Sequence, residues 1–376
     1  MKILVAMDSF KGSLSAQEAC DAVEKGIKAV DENIEVIKKP LADGGEGTVK
    51  TLVSSQDGKI VDLMVNDPLF RKIKGYYGVI NKNTAIMEMA ISSGLTLLKN
   101  IDRNPLFTTT FGLGEMIKHA LDKGIKSFVI GIGGSATNDA GIGMLDALGM
   151  KFYDKEKKLL KPIGKSLGSI YLIDYRHFDE RIKNCNFLIA CDVNNPLFGR
   201  NGAAYIYGPQ KGASKSEVIE LDLGLMNFSE LVKKYFKIDK SLEAGAGAAG
   251  GLGYAFSSFM QASLKPGIEI VMETLDLEKI IPQVDLIITG EGKIDEQSKM
   301  GKVLSGIGNL AKKYKKPAIA FAGIKEKNID LKEQGIQSIY QITPIGYDIS
   351  EAMKKNNATN FLKECVKENI KIGPYL

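Results

Sequence analysis

The 376-residue sequence contains no tryptophan, two histidines and four cysteines. The histidines, His119 and His177, lie far apart in sequence and outside any HExxH or triad context, so neither is indicated as a general base or a zinc ligand. No CxxC pair and no zinc-ligand spacing links the cysteines, and we expect them to be reduced and mostly buried. The cysteines are Cys20, Cys185, Cys191 and Cys365. Any reaction must therefore depend on carboxylates, lysines and backbone dipoles.

Long apolar runs and a strong net charge are also absent. No stretch of about 18 apolar residues, the length that spans a bilayer, occurs in the sequence. The apolar start, MKILVAM, is too short for a signal peptide and runs directly into Asp8. The net charge of +5 is small and spread along the chain, so nucleic acid and anionic membranes are not indicated as partners. We therefore expect a soluble cytoplasmic protein.

Short apolar runs alternate with amphipathic stretches, which is the pattern of an α/β fold with a mostly parallel sheet. Ser15 and Glu18 have the spacing of a capping box, which predicts that a helix begins directly after Ser15. The predicted strands are 2–7, 34–38, 126–131, 186–190, 284–289 and 317–322. The other predicted helices are about 45–55, 112–123, 215–236, 302–314 and 349–371.

Residues 59–90 have a different pattern. They contain three β-rich runs separated by turn residues at 66–68 and 81–83, which predicts an antiparallel meander. A chain of 376 residues is expected to form two domains. We therefore predict a doubly wound, mostly parallel α/β domain with a second, mixed α/β domain inserted into it. The first comprises 1–58 and 270–376 and the second 59–269, with residues 90–150 as an alternative part of the first.

Polar, glycine-rich segments follow the predicted strands repeatedly. The richest is VIGIGGSATNDAGIGMLDALG at 129–149, where Ser135, Thr137, Asn138 and Asp139 lie between glycines. The others are DSFKGS at 8–13, ADGGEGT at 42–48, CDVNNP at 191–196 with GPQKG at 208–212, and GEGKID at 290–295. Ligands of open parallel sheets bind outside the carboxyl ends of the strands. These segments therefore predict the walls of one site for a small polar ligand.

The residue types in these segments suit an anionic ligand and a cation. Lys11 lies between Asp8 and a predicted helix start, where an ammonium and helix amides attract phosphate or carboxylate. Asp43 and Glu46 lie among glycines and suit Mg²⁺ or substrate hydroxyls. Each segment can also be interpreted as a plain turn or a capped helix entry. Likewise, GAGAAGGLG at 245–253 suits either a phosphate loop or close helix packing.

Established nucleotide motifs are incomplete. The GK[ST] match at 164–166 has Leu159 in the place of the first glycine of a Walker loop. A dinucleotide-like segment at 131–136, GIGGSA, lacks a clear acidic residue about 20 positions later. A GxGxxG match at 245–250 lacks the preceding strand. The HRD and DFG motifs of protein kinases are absent as well. A nicotinamide enzyme is therefore not favoured, and phosphoryl transfer would need an unrelated fold.

Several segments, in this order, resemble the bacterial glycerate kinase family. They are Ile3–Ala16, LADGGEGT at 41–48, GIGGSATNDAGIGMLDALG at 131–149, CDVNNPL at 191–197, GPQKGA at 208–213, GAGAAGGLG at 245–253, PGIEIV at 266–271 and ITGEGKID at 288–295. The resemblance covers nearly the whole chain. Three departures are Met7 where a proline is usual, Ala140 where a glycine is usual and Lys293 where an arginine is usual. The last softens a phosphate contact, because lysine lacks the bidentate fork of arginine.

The resemblance implies ATP-dependent phosphorylation of D-glycerate, with 2-phosphoglycerate favoured over 3-phosphoglycerate as the product. It implies ATP and Mg²⁺ as cofactors and a structure of two α/β lobes. The expected partners are small molecules only, without nucleic acid or membrane. A site of glycines, lysines and acids agrees with this chemistry, because phosphoryl transfer depends on positioning and charge neutralisation more than on covalent catalysis.

Roles for individual residues follow from the resemblance together with the residue types. Catalytic roles are expected for Asp43, Asp192, Asp295 and Lys11, with Asp43 or Asp192 orienting the hydroxyl and accepting its proton. Substrate binding is expected of Asp8, Ser9, Lys11, Gly44, Gly45, Glu46, Gly133, Gly134, Ser135, Thr137, Asn138 and Asp139. ATP binding is expected of Gly208, Gln210, Lys211, Gly247, Gly250, Gly251, Gly290, Gly292 and Lys293. Metal binding is expected of Glu291 and Asp295.

Two other classes of function remain open from the residues. An NAD-dependent hydroxy-acid dehydrogenase would explain the glycine fingerprints, and it would bind NADH without turning over ATP. A non-catalytic sensor of small acids or nucleotides would keep the pockets, although several separate charged loops exceed what simple binding requires.

Overall fold

The computed structural model describes residues 1–299 and 303–370, without the side chains of Gln297 and Lys299. Its strands are β1 Lys2–Met7, β2 Glu35–Lys38, β3 Lys59–Asn66, β4 Lys72–Ile80, β5 Thr84–Glu88, β6 Ser127–Gly131, β7 Lys151–Tyr153, β8 Leu172–Asp174, β9 Asn186–Ala190, β10 Ser263–Lys265, β11 Leu286–Ile294, β12 Ala318–Lys325 and β13 Ser338–Gln341. Its α-helices are α1 Ala16–Val30, α2 Thr48–Ser55, α3 Ala90–Ser93, α4 Phe111–Asp122, α5 Ile142–Ala147, α6 Ala203–Tyr207, α7 Lys215–Phe236, α8 Ala248–Phe259, α9 Gly267–Thr274, α10 Leu277–Ile280, α11 Val303–Lys313, α12 Ile349–Ala352 and α13 Lys355–Asn369.

The chain divides into two compact units. The first, here called the parallel-sheet unit, contains Met1–Asp43, Lys50–Gln56 and the chain from Ile268 onwards. The second, the mixed-sheet unit, contains Gly44–Val49 and Asp57–Gly267, and residues 90–150 fall within it. We propose that these units are domains, with the predicted boundaries at 58/59 and 269/270 as their approximate limits.

The sheet of the parallel-sheet unit has five strands in the order β13-β12-β11-β1-β2, and every neighbouring pair is parallel. Strand β1 lies between β2 and β11, so the chain winds one way from β1 to β2 and the other way from β11 to β13. This reversal defines a doubly wound sheet and confirms the predicted fold class. Residues 3–7 of β1 are all buried, as expected of a parallel strand that is covered on both faces.

Helix α1 begins where the capping box predicts. The Ser15 side chain accepts a hydrogen bond from the Glu18 amide at 3.3 Å, and the Ser15 amide donates to the Glu18 carboxylate at 2.9 Å. Val23 and Ile27 on its buried face belong to the same apolar core as β1. The helix therefore ends the DSFKGS loop at a defined residue, directly beyond the carboxyl end of β1.

The mixed-sheet unit is built on a six-stranded sheet in the order β10-β9-β6-β5-β4-β3. Strands β3, β4 and β5 pair antiparallel, which confirms the predicted meander, while β5, β6, β9 and β10 pair in parallel. Its core is rich in aromatic residues, and the rings of Phe128 and Phe187 on neighbouring strands stack with centroids 4.7 Å apart. A separate antiparallel pair, β7 and β8, lies in the same unit.

Two element predictions need correction. The GEGKID segment was expected to be a loop, but β11 continues to Ile294 because β12 extends beside it and pairs with Lys293 and Ile294. The predicted helix 349–371 is interrupted, because Lys354 has an extended backbone (φ −60°, ψ 131°) between α12 and α13. The helix predicted at 215–236 has those bounds in the structure.

The cysteines are unpaired, but the expectation that most are buried was wrong. Cys20 on α1 is buried, whereas Cys185, Cys191 and Cys365 are partly exposed. Cys185 and Cys191 flank β9 at its two ends, where a strand leaves the core, and Cys365 lies on the last helix.

None of the helices in the described residues is both long enough and apolar enough to cross a membrane.

Candidate active site

A cavity of about 350 Å³ opens at the carboxyl ends of β1, β11 and β12 in the parallel-sheet unit. Strands β1 and β11 pair with each other and mark the reversal of winding, which is where open α/β sheets bind ligands. The cavity brings together eight of the predicted site residues, namely Asp8, Ser9, Lys11, Asp43, Glu291, Gly292, Lys293 and Asp295. Several carboxylates and two lysines therefore face one space.

Asp8 is the most buried carboxylate of this cavity, with 8% of its surface exposed. Its Oδ1 accepts a hydrogen bond from the Ser9 amide at 2.6 Å. The pKa of Asp8 is raised to about 7, chiefly by burial and also by the charges of Asp43 and Glu291, against the lowering effects of the Ser9 amide and Lys11. Asp8 can therefore hold a proton near neutral pH, and negative potential is concentrated around it.

Glu291 and Asp295 are linked through Ser298. The Ser298 hydroxyl donates to Glu291 Oε1 at 2.5 Å and accepts from the Asp295 amide at 3.3 Å, and Ser298 itself is 1% exposed. The Lys293 ammonium lies 3.1 Å from Asp295 Oδ2 and is well exposed. Ser298 was not predicted, because a serine three residues beyond the motif carries no signal of its own in the sequence.

One wall of the cavity is apolar. It is formed by Phe10, Ile324, Ile342, Ile349, Ala352, Met353 and Ala358. These residues come from the DSFKGS loop, β12, the end of β13 and the two last helices. The wall therefore could not be predicted from any single segment of the sequence. The cavity thus combines a charged side with an apolar side, which suits a ligand that has both characters.

None of the remaining predicted residues lines this cavity. Gly290 belongs to the parallel-sheet unit, and the others belong to the mixed-sheet unit. They include the GGEG part of the ADGGEGT motif, which Glu88 holds in place. The Glu88 carboxylate, at the end of β5 and 5% exposed, accepts hydrogen bonds from the Val49 amide at 2.8 Å and the Gly47 amide at 3.3 Å. Gly44 has φ +86° and packs against Gly267. Glu88 was missed, because it was interpreted only as part of a β-rich run.

Asp192 follows β9 and is exposed. Its Oδ1 accepts a hydrogen bond from the Gly267 amide at 2.9 Å. This contact supports the structural interpretation of Asp192 as a residue that holds a turn, and the catalytic assignment of Asp192 stays a prediction.

Asp139 is fully buried and has internal partners. It accepts hydrogen bonds from the amide and hydroxyl of Thr110, each at 2.8 Å, and from the amides of Gly141 and Gly143 at 3.1 and 3.2 Å. Burial raises the pKa of Asp139 and these hydrogen bonds lower it. This burial counts against direct substrate contact by Asp139, which instead holds the turn before α5.

Thr137 and Asn138 are likewise fully buried. Thr137 Oγ1 and both polar atoms of the Asn138 amide have no hydrogen-bond partner among the described residues. In contrast, Gly133 and Gly134 are exposed and Ser135 is 9% exposed. Of the predicted substrate-binding residues in this motif, only Gly133 and Gly134 are exposed, and Ser135 next to them is largely buried.

Lys211 is 2% exposed, within the mixed-sheet unit. Its Nζ donates hydrogen bonds of 2.7 Å to Ser135 Oγ and 2.7 Å to the Thr137 carbonyl. Burial lowers the pKa of Lys211 to about 7, and the charge of Asp139 opposes this shift. The buried position counts against direct contact between Lys211 and ATP, while Gln210 beside it is exposed.

The predicted ATP-binding glycines of the mixed-sheet unit are explained by close packing. A Cβ at Gly250, where φ is +72°, would lie 2.1 Å from the Thr137 carbonyl oxygen. Added Cβ atoms at Gly247 and Gly208 would lie 2.2 and 2.4 Å from the carbonyl oxygens of Pro196 and Ala204. These positions require glycine whether or not a nucleotide binds. Gly251 is also buried and packs against residue 140, and in the parallel-sheet unit Gly290 packs against residue 321.

The chain matches the model of the glycerate kinase family over residues 3–372. A glycerate kinase of Bacillus cereus is 44% identical over 356 residues, which cover 94% of this chain and 93% of that protein. A glycerate 2-kinase of Escherichia coli K12 is 45% identical over 349 residues, which cover 92% of each protein.

A solved structure is similar as well. It is that of a Salmonella typhimurium LT2 protein assigned as a glycerate kinase 2, which is 40% identical to this chain. The two structures align with a TM-score of 0.90 over 98% of this chain and 96% of that one.

Proposed function

The chain belongs to the glycerate kinase family, and from that premise we propose that it transfers a phosphoryl group from ATP to D-glycerate. The observation that carries this proposal is the cavity at the reversal of the doubly wound sheet, where Asp8, Lys11, Asp43 and Glu291 meet. Phosphoryl transfer requires positioned charges rather than a covalent intermediate. Carboxylates and lysines without histidine are sufficient for that task.

We propose the 2-hydroxyl as the acceptor, with 2-phosphoglycerate as the product. The support for this choice is that the Escherichia coli relative is named a glycerate 2-kinase.

We assign the nucleotide to the cavity of the parallel-sheet unit. Its apolar wall, which includes Ile324, Ile342 and Met353, would cover the base, and its charged side would face the phosphates. A volume of about 350 Å³ lies within the range of small-molecule pockets. Lys11 and Lys293 supply positive charge at the same cavity, consistent with their expected contact to phosphate oxygens.

The donor set of this cavity fits Mg²⁺. Carboxylate oxygens are the ligands that Mg²⁺ prefers, and it usually takes only one or two of them while water and phosphate complete the shell. Glu291, whose carboxylate accepts the Ser298 hydroxyl, and Asp295, whose backbone amide donates to it, would bind the ion through their carboxylates. When bound, Mg²⁺ would neutralise charge on the phosphates.

Asp43 and Asp192 remain the two candidates to orient the glycerate hydroxyl and accept its proton. Asp43 lines the cavity with Lys11 and Asp295, whereas the Asp192 carboxylate already accepts the Gly267 amide. We therefore rank Asp43 first.

The alternative functions have less support. The dinucleotide-like GIGGSA segment at 131–136 begins at the end of β6 but does not open a helix, because α5 begins only at Ile142. A dinucleotide fingerprint needs the helix N-terminus directly at the pyrophosphate. The match to the glycerate kinase family over residues 3–372 also supports a kinase over a hydroxy-acid dehydrogenase or a non-catalytic sensor.

The test is a coupled assay with the purified protein, ATP, Mg²⁺ and D-glycerate. We expect ADP to form only when D-glycerate is present, and NMR of the product to show the phosphate on the 2-position. L-glycerate and an assay without acceptor are the controls. No ADP above the acceptor-free background would overturn the proposed function, and phosphate on the 3-position would overturn the assignment of the hydroxyl.

A further inference from the structure

The surface part of the 131–143 motif is short. Gly133 and Gly134 are exposed and Ser135 beside them keeps 9% of its surface accessible, whereas residues 136–142 are buried. The Leu95 amide donates to the Gly134 carbonyl at 2.9 Å and fixes this stretch from one side. Any ligand that this motif contacts directly must therefore meet these first three residues.

Three hydrogen-bond donors in this stretch have no acceptor among the described residues. Two are the backbone amides of Gly133 and Gly134, and the third is the hydroxyl of Ser135. Gly134 has φ +71°, and successive amides around a left-handed residue form concave anion sites. The chemistry of this stretch is that of an oxyanion site.

The oxygen of the Ser135 hydroxyl is held from inside the unit by Lys211. The Lys211 ammonium lies 2.7 Å from Ser135 Oγ and 2.7 Å from the Thr137 carbonyl oxygen. An ammonium group can only donate, so Ser135 Oγ is the acceptor and its own proton has to point elsewhere. Because Lys211 is 2% exposed, it can supply charge to a surface ligand only through Ser135.

We infer that Lys211 is a positioning residue, which directs the Ser135 hydroxyl proton toward an oxyanion that the Gly133 and Gly134 amides also bind. The inference rests on the proposed function, and the oxyanion is either the carboxylate of glycerate or a phosphate oxygen of ATP. A bound oxyanion favours the charged form of Lys211, whose pKa burial lowers to about 7. Hydrogen bonds to a charged ligand are stronger than neutral ones.

A double-mutant cycle on the full chain tests this inference. We expect Ser135→Ala and Lys211→Met each to raise the KM for one substrate about tenfold, as for a lost hydrogen bond to a charged group. Because Lys211 acts through Ser135, the double variant should have a KM no higher than that of Ser135→Ala alone. A rise in the KM for D-glycerate identifies the carboxylate as the oxyanion, and a rise in the KM for ATP identifies the phosphate.

Lys151→Met is the matched control, because it removes a lysine that pairs with the buried Asp146 at 2.9 Å in the same unit. It should lower the melting temperature without changing either KM. The inference is overturned if folded Lys211→Met keeps both KM values within twofold of wild type, or if the two single effects multiply in the double variant.

The remaining outcomes are also decisive. Ser135→Ala removes only a hydroxyl and leaves the Lys211 ammonium its bond to the Thr137 carbonyl, so this variant should fold even if Lys211→Met does not. Unchanged KM values in Ser135→Ala overturn the inference by themselves. Wild-type protein that does not phosphorylate glycerate at all overturns the proposed function instead, so the two failures are distinguishable.

Discussion

The hydroxyl of Ser298 donates a hydrogen bond of 2.5 Å to Oε1 of Glu291, one of the acids that line the cavity. Ser298→Ala removes this bond, which helps to hold Glu291 at the position proposed for the metal. We expect kcat/KM to fall about tenfold, the effect of losing one hydrogen bond to a charged group. The Mg²⁺ concentration at half-maximal rate should rise, as measured by titration in the coupled assay.

Ser54→Ala is the control for this serine, because its hydroxyl donates only to the Thr51 carbonyl within α2. It should leave both quantities unchanged. An unaltered Mg²⁺ titration in Ser298→Ala would remove the proposed role of this serine.

The three candidate catalytic acids can be separated by isosteric substitution. We expect Asp43→Asn to lower kcat by about 100-fold or more, because general-base catalysis contributes on this scale. Asp295→Asn should mainly raise the Mg²⁺ concentration that gives the half-maximal rate. Asp192→Asn should have the smallest effect on kcat, because the Asp192 carboxylate already accepts a backbone amide. Near-normal kcat in all three variants, measured with saturating ATP and glycerate, would show that the assignment fails.

Asp8 should make the stability of the protein depend on pH. Its folded-state pKa of about 7 is above its ordinary value of 3.8, so the folded protein binds this proton more tightly than the unfolded chain. The stabilising contribution is full below about pH 4 and is lost as the pH rises through 7. Relative to Asp8→Asn, wild type should therefore lose roughly 2–4 kcal/mol of unfolding free energy between pH 4 and 8.

Urea unfolding in EDTA at both pH values measures this difference. Asp62→Asn, at an exposed position outside the cavity, should follow the wild-type pH dependence. Parallel curves for wild type and Asp8→Asn would refute the prediction.

The packing explanation of the 245–253 glycines can be tested with a matched pair. Gly250→Ala combines φ +72° with a contact of 2.1 Å to the Thr137 carbonyl oxygen, while Gly124→Ala has φ +81° and nothing within 4 Å of the added atom. We expect Gly124→Ala to cost about 1–2 kcal/mol of stability and Gly250→Ala about 3 kcal/mol or more. A stable Gly250→Ala protein with a raised KM for ATP would instead support a nucleotide loop.

The apolar wall of the cavity should determine nucleotide affinity. Met353→Glu places a carboxylate on this apolar wall. We expect the KM for ATP to rise about tenfold, because a base bound at the wall would bury this unpaired charge. The KM for D-glycerate should be unchanged. Ile345→Glu, at a fully exposed position that does not line the cavity, is the control, and equal KM values for ATP in both variants would argue against a base at this wall.

Much of the architecture could be predicted from local patterns. The strand at residues 2–7, the capping box at Ser15 and the helix at 215–236 depend on contacts between neighbours in sequence, so their signals are local. The extension of β11 to Ile294 could not be predicted in this way, because it depends on a ladder with β12. Glycine and charge in GEGKID are typical of a loop, and pairing with the adjacent strand overrides that preference.

The motifs could be identified from the sequence alone. The same is true of the family resemblance, which the comparisons confirm. Chain order alone could not tell which polar residues face a ligand, because burial depends on what packs against them. Asp139 and Lys211 belong to the same class of polar motif residue as Asp8 and Lys11, yet Asp139 and Lys211 are enclosed by their own unit. Glu88 contacts the Gly47 and Val49 amides only because the fold brings β5 against a segment that lies far away in the sequence.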